Sequence, residues 1–201
     1  YEKQNIPFRR GILLYGPPGT GKTSLIRYLF KQNPDKFGIV FDCNKHIDRE
    51  ISSFLKIATG EHQTILAIED IDGIDTYDRS DFLNLLDGIN GIENCFIVAT
   101  TNHVHKIDEA LVSRPSRFDR LYHIDLPSDN ARKELLLRYF PDLTENELTT
   151  YVRKTEGFSG AYFKEIFVFK NIQDCTLEEA INSLREQINI FNKEVKQDYM
   201  G

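Results

Sequence analysis

The residue types that could do chemistry begin with the octet Gly16-Pro17-Pro18-Gly19-Thr20-Gly21-Lys22-Thr23, which has the spacing GxxxxGK[ST]. Its three glycines let the backbone turn so that several N–H groups converge on a polyphosphate. Lys22 would reach the β- and γ-phosphates, and the Thr23 hydroxyl would bind magnesium. A second group is the acidic pair Glu69-Asp70. One carboxylate of such a pair can hold the metal, directly or through water, while the next orients an attacking water. Asn102, after Thr100-Thr101, offers a side-chain amide that could position the same water beside the γ-phosphate.

Each group needs an element to hold it. Ile12-Leu13-Leu14-Tyr15 reads as a short buried strand before the glycine-rich loop, and a helix follows from Ser24. The helix N-terminus adds unsatisfied donors and a favourable dipole for an anion. Asn33-Pro34-Asp35 stops that helix around Lys31. Residues 38–43 are β-branched and aromatic, which predicts a second strand. Asp48 can then cap a helix with Ile51, Phe54, Leu55 and Ala58 at helical spacing.

The apolar run Thr64-Ile65-Leu66-Ala67-Ile68 suits a central parallel strand covered on both faces. Asp78 can cap a further helix carrying Phe82, Leu83, Leu85 and Leu86. Residues 95–99 and 121–124 read as two more strands, the second closed by Pro127. This alternation predicts an α/β fold, a parallel sheet wrapped by helices on both sides. Ligands of such sheets sit at the carboxyl ends of the strands, where all three polar groups fall.

After Pro127 only helices are expected. Ser128 caps one through Phe140, and Ser159 can start another. Thr144–Glu147 and Thr176–Glu179 have capping-box form, and Ile181, Leu184, Ile188, Phe191 and Val195 make one apolar stripe. The expected organisation is a large nucleotide-binding domain over residues 1–127 and a small helical domain over residues 128–201.

Composition sets the remaining bounds. Hydrophobic content of 40% and charged content of 28% suit a globular chain with a proper core. A net charge of −6 argues against a nucleic-acid binder, which usually carries a basic stripe. No apolar run approaches a membrane span. Cys43, Cys95 and Cys175 are odd in number and far apart, which suits neither a zinc site nor a disulfide framework. A reducing intracellular compartment, the cytoplasm first, is the expectation. The chain begins at Tyr1 rather than Met, so a targeting segment or organelle membrane anchor upstream is left open.

Taken together, these segments resemble the ATPase module of the AAA family (ATPases associated with diverse cellular activities), over nearly the whole chain. Gly16 to Thr23 matches the family's first Walker motif, Ile65 to Asp70 resembles the second, and Ala99 to Asn102 resembles sensor 1. Asp108-Glu109-Ala110-Leu111 and Arg114-Pro115-Ser116-Arg117-Phe118-Asp119-Arg120 resemble the family's second region of homology. Gly157-Phe158-Ser159-Gly160-Ala161 resembles the small-domain segment beside the adenine.

The resemblance implies a P-loop NTPase fold with a helical lid, using ATP and Mg2+. Residues 16–23 with Ser24, Glu69, Gly160 and Ala161 would then bind nucleotide. Thr23, Glu69 and Asp70 would serve the metal, and Asp70 and Asn102 the attacking water. Arg114 and Arg117 would reach the γ-phosphate held by a neighbouring subunit. That role implies a homo-oligomer, a ring of the hexamer or heptamer kind, with a protein substrate or adaptor chosen elsewhere. Two other readings stay open: a nucleotide-gated scaffold with little turnover, and a DNA-acting loader, which the acidic charge disfavours.

Four features depart from the family pattern or add to it. Most members read Asp-Glu where this chain reads Glu69-Asp70, which lengthens one carboxylate by about 1.5 Å and shortens the other. The order Glu-Asp-Ile-Asp, with Leu85 to Ile89 and Thr100 to His103, resembles the mitochondrial inner-membrane subgroup that moves a folded iron–sulfur protein during complex III assembly. Ser116 replaces the glycine common between the two arginines, and residues 43–48 lack the aromatic pore loop of threading members. His103 and His105 read as a polar loop rather than a metal pair, with no third ligand in view.

Overall fold

The third strand shows why the sheet is built as it is. Its run of apolar residues has no polar alternation because both of its faces are covered. In the computed structural model, which describes residues 9–42, 49–74, 86, 94–107 and 117–198, this strand is β3, Thr64–Glu69. Leu66 and Ile68 pack into one core cluster, and Ile65 and Ala67 into another. Successive side chains of a strand point to opposite faces, so the two clusters lie on the two sides of the sheet.

Among the described residues four further strands join it: β1 (Arg9–Tyr15), β2 (Phe37–Asp42), β4 (Cys95–Thr101) and β5 (Arg120–His123). All pairings are parallel, in the order β2-β3-β4-β1-β5. Helix α1 (Lys22–Gln32) supplies Ile26, Leu29 and Phe30 to one cluster, and α2 (Arg49–Glu61) supplies Leu55 to the other. Burying such side chains contributes on the order of 1.5–3 kcal/mol each. The predicted sheet wrapped on both sides is what the chain forms.

Register then brings the chemistry to one edge. Tyr15 pairs with Thr101, Ile68 with Ala99, and Asp42 with Glu69. The carboxyl ends of β1, β3 and β4 are therefore level, and the glycine-rich loop, Glu69-Asp70 and Asn102 leave the sheet side by side. Boundaries differ little from expectation. Strand β1 starts at Arg9 because Arg9–Gly11 continue the ladder onto Cys95–Ile97. Helix α1 starts at Lys22 rather than Ser24, since Gly21 at φ 103° forms its N-cap. The caps expected at Asp48 and Asp78 lie outside the described residues. Of the helix expected after Asp78, only Leu86 is described, and it is fully buried.

The chain divides into two compact units, Tyr1–Ile124 and Asp125–Gly201. The second holds α3 (Asp129–Tyr139), α4 (Glu145–Lys154), α5 (Gly160–Gln173) and α6 (Leu177–Asp198). Its own core joins Leu136, Leu148, Phe158, Phe163, Ile166 and Ile181. Ser128 caps α3, accepting from the Ala131 N–H, and Thr144 with Glu147 closes a capping box on α4. No helix among the described residues is long and apolar enough to cross a membrane.

Candidate functional site

The glycine-rich loop owes its path to three residues in the left-handed half of backbone space: Gly16, Gly19 and Gly21, at φ 145°, 74° and 103°. Gly16 is further constrained by a close approach. A Cβ there would fall 2.2 Å from the Ile124 carbonyl oxygen, while the Ile124 N–H donates to Tyr15 O at 2.8 Å. Only glycine lets β5 close against the loop. Inside the loop, the Thr20 hydroxyl donates to Pro17 O at 2.9 Å. No side chain caps α1 and no acid sits in its first turn, so its N-terminal donors suit an anion. Pro18, Gly19, Thr23 and Ser24 are exposed around it.

Lys22 is only 6% exposed, and its ammonium donates to Gly16 O at 2.8 Å and Pro17 O at 2.7 Å. Burial holds its pKa below the usual lysine value, and the carboxylates of Asp70 and Asp72 pull in the opposite direction. Lys22 thus feels two acids far from it in sequence.

Glu69 ends β3 with Oε1 buried and without a hydrogen-bond partner among the described residues. A buried acceptor left this way is costly unless it meets something that the protein does not supply, such as a metal-bound water. This carboxylate, with the exposed Thr23 hydroxyl, fits a magnesium–nucleotide complex. Magnesium keeps most of its waters and needs only one or two protein ligands beside the phosphates. Asp70 follows with φ 50° and ψ 54° and precedes the 3-10 turn Ile71–Gly73. Its carboxylate Oδ1 accepts from Asn102 Nδ2 at 3.1 Å. Of the residues expected to handle water, Asp70 and Asn102 are thus in contact.

Sequence reasoning gave no role to three residues that organise this edge. The Asp70 N–H donates to Thr100 Oγ1 at 3.1 Å; the Thr101 hydroxyl donates to Asp72 Oδ1 at 2.5 Å and accepts from the His103 N–H at 2.9 Å. Two of them were visible as polar threonines at the end of an otherwise apolar strand, and Asp72 as the last acid of the Glu-Asp-Ile-Asp run. His103 and His105 stand edge to face, ring centroids 5.7 Å apart, both exposed.

Arg114 and Ser116 lie outside the described residues, as do residues 43–48 and 108–111. Arg117 is described, and it is 4% exposed. Its segment lies directly on β1: a Cβ at Gly11 would fall 2.0 Å from Arg117 O, and Asp119 Oδ2 accepts from the Gly11 N–H at 2.9 Å. Gly160 and Ala161 open α5 in the second unit. The turn before them is fixed by Arg185, whose guanidinium donates to Lys154 O and Glu156 O and stacks on Phe158, Cζ 4.7 Å from the ring centroid.

Known proteins with similar sequences fit this arrangement. The family model described as "ATPase family associated with various cellular activities (AAA)" matches residues 12–126. The chain is 32% identical to ATP-dependent zinc metalloprotease FtsH 2 of Thermoanaerobacter sp., covering 81% of this chain and 36% of that protein. It is 32% identical to the proteasome-activating nucleotidase of Saccharolobus solfataricus, covering 95% and 54%. It is 30% identical to the probable mitochondrial chaperone BCS1-B of Dictyostelium discoideum, covering 94% and 49%. The chain spans between about a third and about half of the length of these relatives.

Proposed function

The chain belongs to the AAA family of ATPases, and from that premise we propose that it is the motor module of an oligomeric, magnesium-dependent ATPase that remodels or moves a protein partner. The observation that carries the catalytic part is the Asp70 carboxylate held by Asn102 on the edge that also bears Lys22. In this reading the loop from Gly16 to Thr23, with Ser24, binds the phosphates of ATP, and Gly160 and Ala161 belong to the adenine side. Lys22 exchanges its two carbonyl partners for phosphate oxygens. Thr23 and Glu69, with Asp70 beside them, hold magnesium, which neutralises charge on the transferring phosphoryl group when bound. Asp70 takes the proton of the attacking water, and Asn102 keeps that carboxylate aimed.

The expected result of Asp70→Asn is retained ATP binding with phosphate release reduced by at least about 100-fold. Steady-state phosphate release together with equilibrium ATP binding measures both. Turnover at the wild-type rate would remove Asp70 from the reaction. The same assay on the unaltered chain separates an ATPase from a nucleotide-gated scaffold, the alternative that the reversed acidic pair leaves open. A protein partner is supported by the names of the relatives, which are a protease, a proteasome activator and a chaperone.

Arg114 and Arg117 complete the reading as residues acting on ATP held by the next subunit, where delocalised positive charge stabilises the transition state by ~10³–10⁵ in rate. The Arg117 backbone and the Asp119 carboxylate hold this segment against β1.

A further inference from the structure

The Asp70 backbone is the least expected feature of the site. A left-handed conformation is uncommon for any residue except glycine, though aspartate and asparagine tolerate it better than others. An aspartate before a helical turn ordinarily takes extended angles and turns its carboxylate onto that turn's N–H groups. Asp70 does neither: its angles are left-handed, and no side-chain cap bond forms to Ile71–Gly73. Its carboxylate is directed instead at Asn102.

Two bonds stabilise this backbone. The Asp70 carbonyl accepts from the Gly73 N–H at 2.8 Å, and its N–H donates to the Thr100 hydroxyl at 3.1 Å. Thr100 is 2% exposed, so no solvent competes for that hydroxyl. Thr100 lies near the end of β4, and Asn102 is the first residue after it. One grips the Asp70 main chain and the other its side chain. Thr101, between them, is fully buried and ties Asp72 and the His103 N–H instead.

We propose that Thr100 is a positioning residue for hydrolysis: by accepting the Asp70 N–H it holds Asp70 left-handed and thereby aims the carboxylate at the attacking water. The inference rests on the reading of Asp70 as the group that takes the proton from water. Removing the hydroxyl leaves the Asp70 N–H without its acceptor and lets the residue relax toward extended angles. Displacements of about 1 Å in a catalytic group cost on the order of 100-fold in rate, while the phosphate loop, built on β1 and α1, is untouched.

The test compares Thr100→Val, nearly the same shape without the hydroxyl, with Thr100→Ser and with Asp70→Asn, all in the full chain. The readouts are ATP turnover at saturation, the Kd for ATP, and the thermal midpoint. The expected pattern is a fall in turnover of about 10- to 100-fold for Thr100→Val, with Kd within about twofold of the parent and turnover restored by Thr100→Ser. Thr100→Val turning over normally while Asp70→Asn is inactive would overturn the positioning role and leave the role of Asp70 intact. Asp70→Asn turning over normally would overturn the underlying reading instead. Equal losses of Kd, midpoint and turnover in Thr100→Val, unrescued by serine, would reduce Thr100 to a packing residue and overturn the proposal.

Discussion

Position 70 accommodates aspartate more readily than glutamate, because a short acid tolerates left-handed angles better than a longer one. The reversed order Glu69-Asp70 therefore matches the backbone that carries it. In the proposed function Glu69 has the reach to bring an oxygen toward the metal, and its buried Oε1 has no hydrogen-bond partner among the described residues. Exchanging the pair, Glu69→Asp with Asp70→Glu, restores the common family order and is expected to lower phosphate release by at least about tenfold, since both carboxylates are displaced by a bond length. Release at or above the parent rate in the exchanged chain would show that the order does not matter here. Steady-state kinetics with ATP concentration varied is the measurement, because the exchange should act on kcat more than on the affinity of the loop.

Helices of the second unit depend on local caps whose strength varies with pH. The Glu147 carboxylate accepts from both the hydroxyl and the N–H of Thr144, at 2.6 and 2.9 Å, and Glu179 does the same with Thr176 at 2.7 and 2.8 Å. These bonds favour the ionised acids. The Thr144 hydroxyl leads for Glu147 and the Thr176 N–H for Glu179, and each carboxyl is held below the usual glutamate range. A depressed folded pKa means that the unfolded chain binds more protons, so stability rises with pH through that window. The contribution is complete above the ordinary glutamate value and is lost as pH falls through the lowered folded value. Glu147→Gln with Glu179→Gln is expected to flatten the acid limb of the thermal midpoint. Midpoints measured from neutral pH down into the acid range check this, and an unchanged slope would rule out the caps as its source. These helices were legible beforehand because a cap and its partner lie three residues apart.

At the scale of the whole molecule, the proposed role of Arg114 requires a second copy of the chain. Asp119 bonds the Gly11 N–H, and Arg10 pairs with Asp119 at 3.5 Å, so the segment following Arg114 is tied to β1, the strand that also carries the phosphate loop. If the finger acts on a neighbour, Arg114→Ala subunits mixed with parent subunits should depress turnover below the sum expected from independent chains. Turnover per chain should also rise with protein concentration. Phosphate release across a mixing series, with oligomeric state followed by light scattering, measures both; strict additivity would place the finger outside the reaction.

Taken by itself, the sequence determined whatever depends on neighbours along the chain. The glycines of residues 16–21, the apolar runs of β3 and β4 and the two capping boxes each follow from local backbone preference or side-chain period. A parallel sheet was legible from the alternation of strand and helix. What only the tertiary structure decided is who meets whom across the sheet. The bond from Asp70 to Thr100 joins residues 30 positions apart, that from Thr101 to Asp72 spans 29, and that from Gly11 to Asp119 spans 108. Periodicity within a strand carries no information on its register against the next one. The left-handed turn at Asp70 and the burial of Arg117 arise from that register and from the packing it permits.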